Sequence, residues 1–318
     1  MNKRKLGYSD LYLTTVGFGA WAVGGGNWDW GWGQQDDKES IEAIHKAIDL
    51  GINWIDTAAA YGLGHSEEMV GKAIQGKRDQ LTIATKCGLV WEGRTDGTVG
   101  NRLKAWSVRQ EAENSLKRLG VDVIDLFQIH WPNPDADIEE GWGEIARLIE
   151  EGKVRYGGVS NFSLEQLKRV QKVHPVASLQ PEYSMLERGV EDELLEYCAA
   201  NNIGVVAYSP MASGLLTGKY NKETVKTIHP EDWRLKYSEH FRPGNFEKNI
   251  ERVEQLKKIA GRYGRSVGEL AVAWVLRRKE MTAAIVGSRR PSQIEQIAPA
   301  SDWVLSDDVI AEIEEILK

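Results

Sequence analysis

Four polar residues stand where apolar runs end. Ile52–Ile55 runs into Asp56, Leu81–Thr85 into Lys86 and Ile124–Ile129 into His130, while Tyr61 lies in the short loop that follows Asp56. A Tyr hydroxyl has a reference pKa of about 10, too high for easy proton donation at neutral pH. A neighbouring ammonium stabilises the phenolate, and each unit of lowering corresponds to about 1.4 kcal/mol. A Lys buried without a counter-ion loses its own proton, so an Asp partner is required. A neutral His beside the Tyr can hydrogen-bond a substrate oxygen. Together, Asp56, Tyr61, Lys86 and His130 make a site that protonates an oxygen as negative charge develops on it. Singly, each has a plainer reading: a strand-end cap, a loop aromatic, a solvated chain end and a satisfied core His. The set of four at three neighbouring strand tips is harder to explain by packing.

Such residues converge only if their strands lie side by side and parallel. Short apolar runs at 16–19, 52–56, 81–86, 123–130, 156–160, 177–180, 204–208 and 283–286 alternate with helical spacing, as in Ile41, Ile44, Ala47 and Ile48. Ser66 is expected to cap one helix, and Ser107 with Gln110 and Ser163 with Gln166 are capping-box signatures. Strict alternation implies a parallel sheet. Eight units in 318 residues predict an α/β fold, a (β/α)8 TIM barrel with an N-terminal β-hairpin over residues 3–15. No low-complexity linker divides the chain, so residues 1–318 are expected to form a single domain. In such barrels chemistry sits at the carboxyl ends of the strands. The four residues fall there, as do the longest loops, 20–37, 88–106, 131–137 and 209–245. The last of these is expected to act as a mobile lid.

Net charge is −7 and no basic stripe is apparent, which argues against nucleic acid as a partner. Two cysteines, Cys87 and Cys198, cannot form a disulfide framework, and residues 1–6 lack the apolar region of a signal peptide, so a reducing cytoplasm is expected. No run reaches the roughly 18 apolar residues of a membrane span. The six His residues show no H-E-x-x-H or i,i+4 pairing, so no metal is expected. Gly17-Phe-Gly-Ala-Trp-Ala22 satisfies G-x-G-x-x-A, but a glycine-rich, tryptophan-rich loop follows it, not the helix a dinucleotide fold needs. Gly71–Arg78 resembles a P-loop, yet its first Gly lies inside a helical pattern and it ends in Arg. Trp21, Trp28, Trp30 and Trp32, among 12 Trp in all, form either a loop folded on its own rings or an aromatic pocket wall.

These residues, in this order, resemble the aldo-keto reductase family, and most closely its bacterial and potassium-channel β-subunit-like branch. The motifs are Asp56-Thr-Ala-x-x-Tyr61-Gly, Thr85-Lys86, Leu126-Phe-Gln-Ile-His130-Trp-Pro132, Gly157-Gly-Val-Ser-Asn-Phe162, Tyr208-Ser-Pro210, Gly214-Leu-Leu-Thr-Gly-Lys219 and Ile285-Val-Gly-Ser-Arg289. The resemblance implies reduction of aldehydes and ketones by a nicotinamide cofactor, with Tyr61 as general acid, Lys86 and Asp56 tuning it, and His130 orienting the carbonyl. It assigns the cofactor to Gly19, Trp21, Ser160, Asn161, Gln180, Tyr208, Ser209, Pro210, Leu215, Gly218, Lys219, Gly287, Ser288, Arg289, Gln293 and Gln296. Within that set, Ser160, Asn161 and Gln180 match the carboxamide contacts and Tyr208 the ring that stacks on nicotinamide. Ser209, Leu215, Gly218 and Lys219 match the pyrophosphate clasp, and Ser288, Arg289 and Gln293 the adenosine-phosphate segment. The cation there favours NADPH over NADH.

Two positions depart from the family pattern. Gly287 stands where many relatives carry a Lys for the 2′-phosphate, and Ile297 where many carry an Asn for adenine, which leaves Arg289 and Arg290 to set the preference. Trp21, Trp30, Trp91 and Trp131 are expected to wall the substrate pocket. The resemblance also admits a second role, a redox-sensing interaction protein of the channel β-subunit type.

Overall fold

The computed structural model describes residues 1–26, 28–91, 96–229 and 232–318. The undescribed parts of the expected loops 20–37, 88–106 and 209–245 lie outside those residues. Eight strands close into a parallel barrel: β1 (Val16–Gly19), β2 (Trp54–Asp56), β3 (Thr82–Cys87), β4 (Ile124–Ile129), β5 (Val154–Ser160), β6 (Ser178–Gln180), β7 (Gly204–Ala207) and β8 (Met281–Gly287). Each pairs with its neighbours in sequence, and β8 returns to β1 with Ile285 opposite Gly17. This is the (β/α)8 TIM barrel that the alternation predicts.

Eleven helices are described around and beyond it: α1 (Asp37–Asp49), α2 (His65–Ala73), α3 (Ala105–Leu119), α4 (Ile138–Glu150), α5 (Leu164–Val170), α6 (Leu194–Ala200), α7 (Trp233–Tyr237), α8 (Asn245–Arg262), α9 (Val267–Leu276), α10 (Pro291–Ile297) and α11 (Asp307–Leu317). Asp36 caps α1 through its side chain, and Ser163 and Gln166 form the expected capping box on α5. Two caps differ from expectation. Helix α2 starts from Gly64, because the Ser66 hydroxyl is drawn inward to Ala20 O at 2.8 Å and Thr57 at 2.9 Å. Helix α3 starts from Lys104, and the Ser107 hydroxyl bonds Glu111 at 3.1 Å. In both, a buried polar partner outcompetes the local cap.

The N-terminal hairpin, Lys3–Lys5 paired with Tyr12–Thr14, closes the amino-terminal end of the barrel. Leu6, Leu11 and Leu13 join Trp54, Ala84, Leu126, Val206, Ala283 and Ile285 in one apolar cluster inside it. A second, larger cluster fills the layer between strands and helices. Gly17 has no substitute here: a Cβ would meet the Trp54 ring at 2.0 Å. With that end packed, the open end of the barrel is the one where β2, β3 and β4 deliver their polar tips.

Candidate active site

Asp56 ends β2, Lys86 is the penultimate residue of β3, and His130 follows β4. Parallel register places Asp56 beside Ala84 and Lys86 beside Gln128. The Lys86 ammonium is fully buried and donates to Asp56 Oδ1 at 2.6 Å, Thr57 O at 2.9 Å and the Tyr61 hydroxyl at 3.1 Å. All three of its protons are accounted for. The His130 ring meets the Tyr61 ring edge-on, with centroids 5.6 Å apart. The four residues therefore form one cluster.

Burial sets the charges. The Lys86 pKa is lowered from its ordinary value by desolvation, which the charge and hydrogen bond of Asp56 oppose. Desolvation first, and the Lys86 charge second, push His130 well below the usual histidine range, so it is a neutral imidazole. Its ring makes no hydrogen bond with the described residues. The Tyr61 phenol is pushed well above 10, by desolvation and then by Asp56. This corrects the expected lowering: burial outweighs the ammonium, and the phenol holds its proton until charge appears in front of it.

Two further glutamines complete the support of Asp56. Gln128 and Gln180 donate to its Oδ2 at 3.3 and 2.9 Å, and Gln180 also donates to Gln128 Oε1 at 3.3 Å. Gln128 was not among the expected site residues. Its signal was a lone amide in the apolar run of β4, two residues before His130 and so on the same face. Glu67 was missed too; it is buried on α2 between Thr85 (2.5 Å) and Arg118 (2.6 Å).

The residues expected to hold nicotinamide gather beside His130. Tyr208 donates its hydroxyl to Asn161 Oδ1 at 2.8 Å, and Asn161 Nδ2 reaches His130 O at 3.0 Å and Ser160 Oγ at 3.1 Å. Ser160 Oγ bonds Gln180 O at 2.8 Å. Asn161 (φ 63°), Ser209 (φ 52°), Ala212 (φ 45°) and Ser213 (φ 54°) all take left-handed backbone, an expensive run of conformations for side chains with a Cβ. Pro210 and Leu215 are buried in the same turn, Gly218 ends it at φ 75°, and Gly19 sits where a Cβ would strike Ile285 at 2.6 Å.

A cavity of about 610 Å³ opens beyond this turn, lined by Gln34, Gln35, Asp36, Glu39, Lys219, Arg289, Arg290 and Gln293. Burial and the nearby Arg234 and Arg289 cations push Lys219 down to about 8. Arg289 is lowered by burial and by Arg290 and Arg234. Cations that depress one another in this way fit an anionic ligand such as a cofactor phosphate. Arg289 meanwhile bonds Gln35 Oε1 at 2.6 Å, Trp32 O at 3.5 Å and Gln34 O, while its amide meets Gln293 Oε1 at 2.8 Å. Ser288 Oγ turns back to Arg290 O, Gly287 at the end of β8 is exposed, and Gln296 is exposed and does not line the cavity.

Above Tyr61 the tryptophans stack. Trp21 lies on Tyr61 with centroids 5.5 Å apart, and Trp28, Trp32 and Trp233 flank Trp21 at 5.9, 6.3 and 5.8 Å. Trp30 packs edge-on to Trp28 and accepts the Trp21 indole N–H through its carbonyl. Two other expected walls take no part in this stack among the described residues. Trp91 covers the Arg118 guanidinium, and Trp131 is exposed with no ring contact among the described residues. Trp233, on α7, was missed, because nothing in the sequence ties residues 209–245 to the loop at 20–37. The tie is Arg234, which chelates Asp232 (2.8 and 2.6 Å), bonds Tyr220 at 2.5 Å and lies 4.8 Å over the Trp32 ring.

The model of the Aldo/keto reductase family matches residues 15–318. The chain belongs to the aldo-keto reductase family. The reductase is 42% identical over 311 residues to the aldo-keto reductase YhdN of Bacillus subtilis, covering 97% of this chain and 91% of that one. It is 36% identical to the NADH-specific methylglyoxal reductase of Escherichia coli, covering 96% and 95%. Among solved structures, the glycerol dehydrogenase AKR11B4 of Gluconobacter oxydans superposes with a TM-score of 0.90 at 39% identity, covering 99% of this chain and 94% of that one. The reductase is thus an oxidoreductase of a family that reduces carbonyls with nicotinamide cofactors. Among the described residues, no cluster could hold a metal ion and no helix is long and apolar enough to cross a membrane.

Proposed function

We propose that the chain reduces small aldehydes and ketones in the cytoplasm, taking hydride from NADPH in preference to NADH, with Tyr61 donating the proton. The observation that carries this reading is the Lys86 ammonium held between Asp56 and the Tyr61 hydroxyl. A nicotinamide held by the residues named below would supply hydride chemistry at the carbonyl carbon. His130, neutral and with its ring unclaimed by the described residues, orients the carbonyl oxygen. Tyr61 gives its proton as that oxygen becomes anionic, and Lys86 stabilises the phenolate that remains. Asp56, braced by Gln128 and Gln180, keeps Lys86 charged. Trp21 and the rings around it exclude water from the site.

Ser160, Asn161 and Gln180 would hold the carboxamide, and Tyr208 would stack on the ring. The strained turn Ser209–Gly218 with Lys219 would clasp the pyrophosphate. Ser288, Arg289 and Gln293 would meet the adenosine end, where Lys219 and Arg289 carry charge for a phosphate. The test is consumption of reduced cofactor with aromatic aldehydes, methylglyoxal and glyceraldehyde, run with NADPH and with NADH. Turnover with NADPH ahead supports the reading. Tight cofactor binding without turnover on any carbonyl overturns it and favours redox sensing.

A further inference from the structure

The cavity that would take the adenosine end of the cofactor has two walls of opposite charge. Lys219, Arg289 and Arg290 stand on one side, and Asp36 and Glu39, at the start of α1, on the other. Most of these groups already have work within the fold. Asp36 Oδ1 accepts the Glu39 amide at 2.9 Å and caps α1. Arg289 donates to Gln35, Trp32 and Gln34, which holds the loop ahead of α1 across the groove. Glu39 is different. Among the described residues its carboxylate pairs with Arg290 Nε at 3.5 Å, and its side chain is 44% exposed. It faces the cavity while leaving the helix cap to its neighbour.

Three cations against two carboxylates leave a net of one positive charge on the cavity walls. A phosphate monoester brings −1.5 to −2 at neutral pH, on the order of two charges. The walls therefore under-compensate a 2′-phosphate, and Glu39 is a direct cause. A carboxylate is also the group that accepts a hydrogen bond from a free ribose 2′-hydroxyl, while an Arg accommodates a 2′-phosphate.

We propose that Glu39 is a cofactor-specificity residue, which resists the 2′-phosphate, occupies Arg290 and keeps NADH usable alongside NADPH. This rests on the assignment of the cavity to the cofactor's adenosine end.

Glu39→Gln tests it, with Glu42→Gln as the control. Glu42 lies one turn on, pairs among the described residues with Lys38 at 3.9 Å and does not line the cavity. A carboxylate within one Debye length, about 8 Å, of a dianion is worth roughly three- to tenfold in binding. Glu39→Gln is expected to raise the ratio of kcat/KM for NADPH over NADH by that factor. Calorimetric titration should show 2′,5′-ADP binding tighter by the same factor and 5′-ADP not tighter, with the gain shrinking as salt rises. Glu42→Gln should leave both ratios unchanged. If 2′,5′-ADP binds and Glu39→Gln leaves both ratios within about twofold of wild type, the proposal is wrong. If neither nucleotide binds, the assignment of the cavity fails first and the proposal falls with it.

Discussion

Asp56→Asn removes one charge from the centre of the site at nearly constant shape. In the native protein Asp56 is what opposes the desolvation of Lys86. A unit pair about 4 Å apart at an effective dielectric near 20 is worth about 4 kcal/mol. Lys86 already titrates below its ordinary value because of desolvation, so losing that support lowers it further. The sign is fixed: neutral lysine cannot stabilise a phenolate, so the mutant recovers activity as pH falls and loses it as pH rises. Near pH 7.5 kcat should drop roughly 10²-fold or more, the scale of a lost stabilising donor. Stability falls as well, by about 1–3 kcal/mol, because Asn presents its amide to the donors of Gln128 and Gln180. The assay is the pH profile of kcat at saturating cofactor, with a thermal melt to show the fold. A folded Asp56→Asn enzyme with wild-type kcat and an unchanged alkaline limb would refute the reasoning.

Other outcomes follow from the same geometry. His130 is neutral far below 6.5, so wild-type kcat should cross pH 6.5 without an inflection, and a titration step there would contradict its assignment. Trp233→Ala removes one aromatic stack, worth roughly 0.5–1.5 kcal/mol, and should raise the carbonyl KM about two- to tenfold while kcat stays within about threefold. A Cβ at Gly287 meets nothing nearer than Gly19 O at 4.0 Å, so Gly287→Lys should fold normally and tighten NADPH relative to NADH; a lost fold or unchanged ratio would count against the cofactor's placement. Arg234 ties α7 to Trp32, so protease cutting within residues 209–245 should slow when NADPH is added, and an unchanged cutting rate would dismiss the lid.

Where local pattern and tertiary demand agree, the sequence was informative. Alternating apolar runs and helical spacings led to the barrel, because each strand tip and each helix face is a short-range property. Asp56, Lys86 and His130 were visible as polar residues closing apolar runs, and Tyr61 by its distance from Asp56. Gln128 obeys the same rule and was passed over, although an amide at 0% exposure inside a strand must find partners. Ser66 and Ser107 looked like helix caps because caps are local, but their hydroxyls serve partners that packing supplies. Trp91 follows β3, yet its ring lies against the Arg118 guanidinium, a pairing that packing supplies. Trp233, Arg234 and the charged walls at Glu39 and Arg289 depend on loops meeting across the barrel mouth, which no spacing along the chain encodes. The sign of the Tyr61 shift was misjudged for a related reason. The ammonium's proximity follows from strand spacing, whereas the depth of burial that raises the phenol is a property of the fold.

Tyr61→Phe addresses the central claim most directly. The substitution keeps the ring that stacks on Trp21 and removes only the hydroxyl that Lys86 touches. Cofactor affinity, measured by quenching of tryptophan emission, should stay within about twofold of wild type. Carbonyl reduction at saturating cofactor should fall roughly 10²- to 10⁴-fold, the range general acid catalysis contributes. A folded, cofactor-binding Tyr61→Phe enzyme that reduces the same carbonyl at close to the wild-type rate would contradict the account.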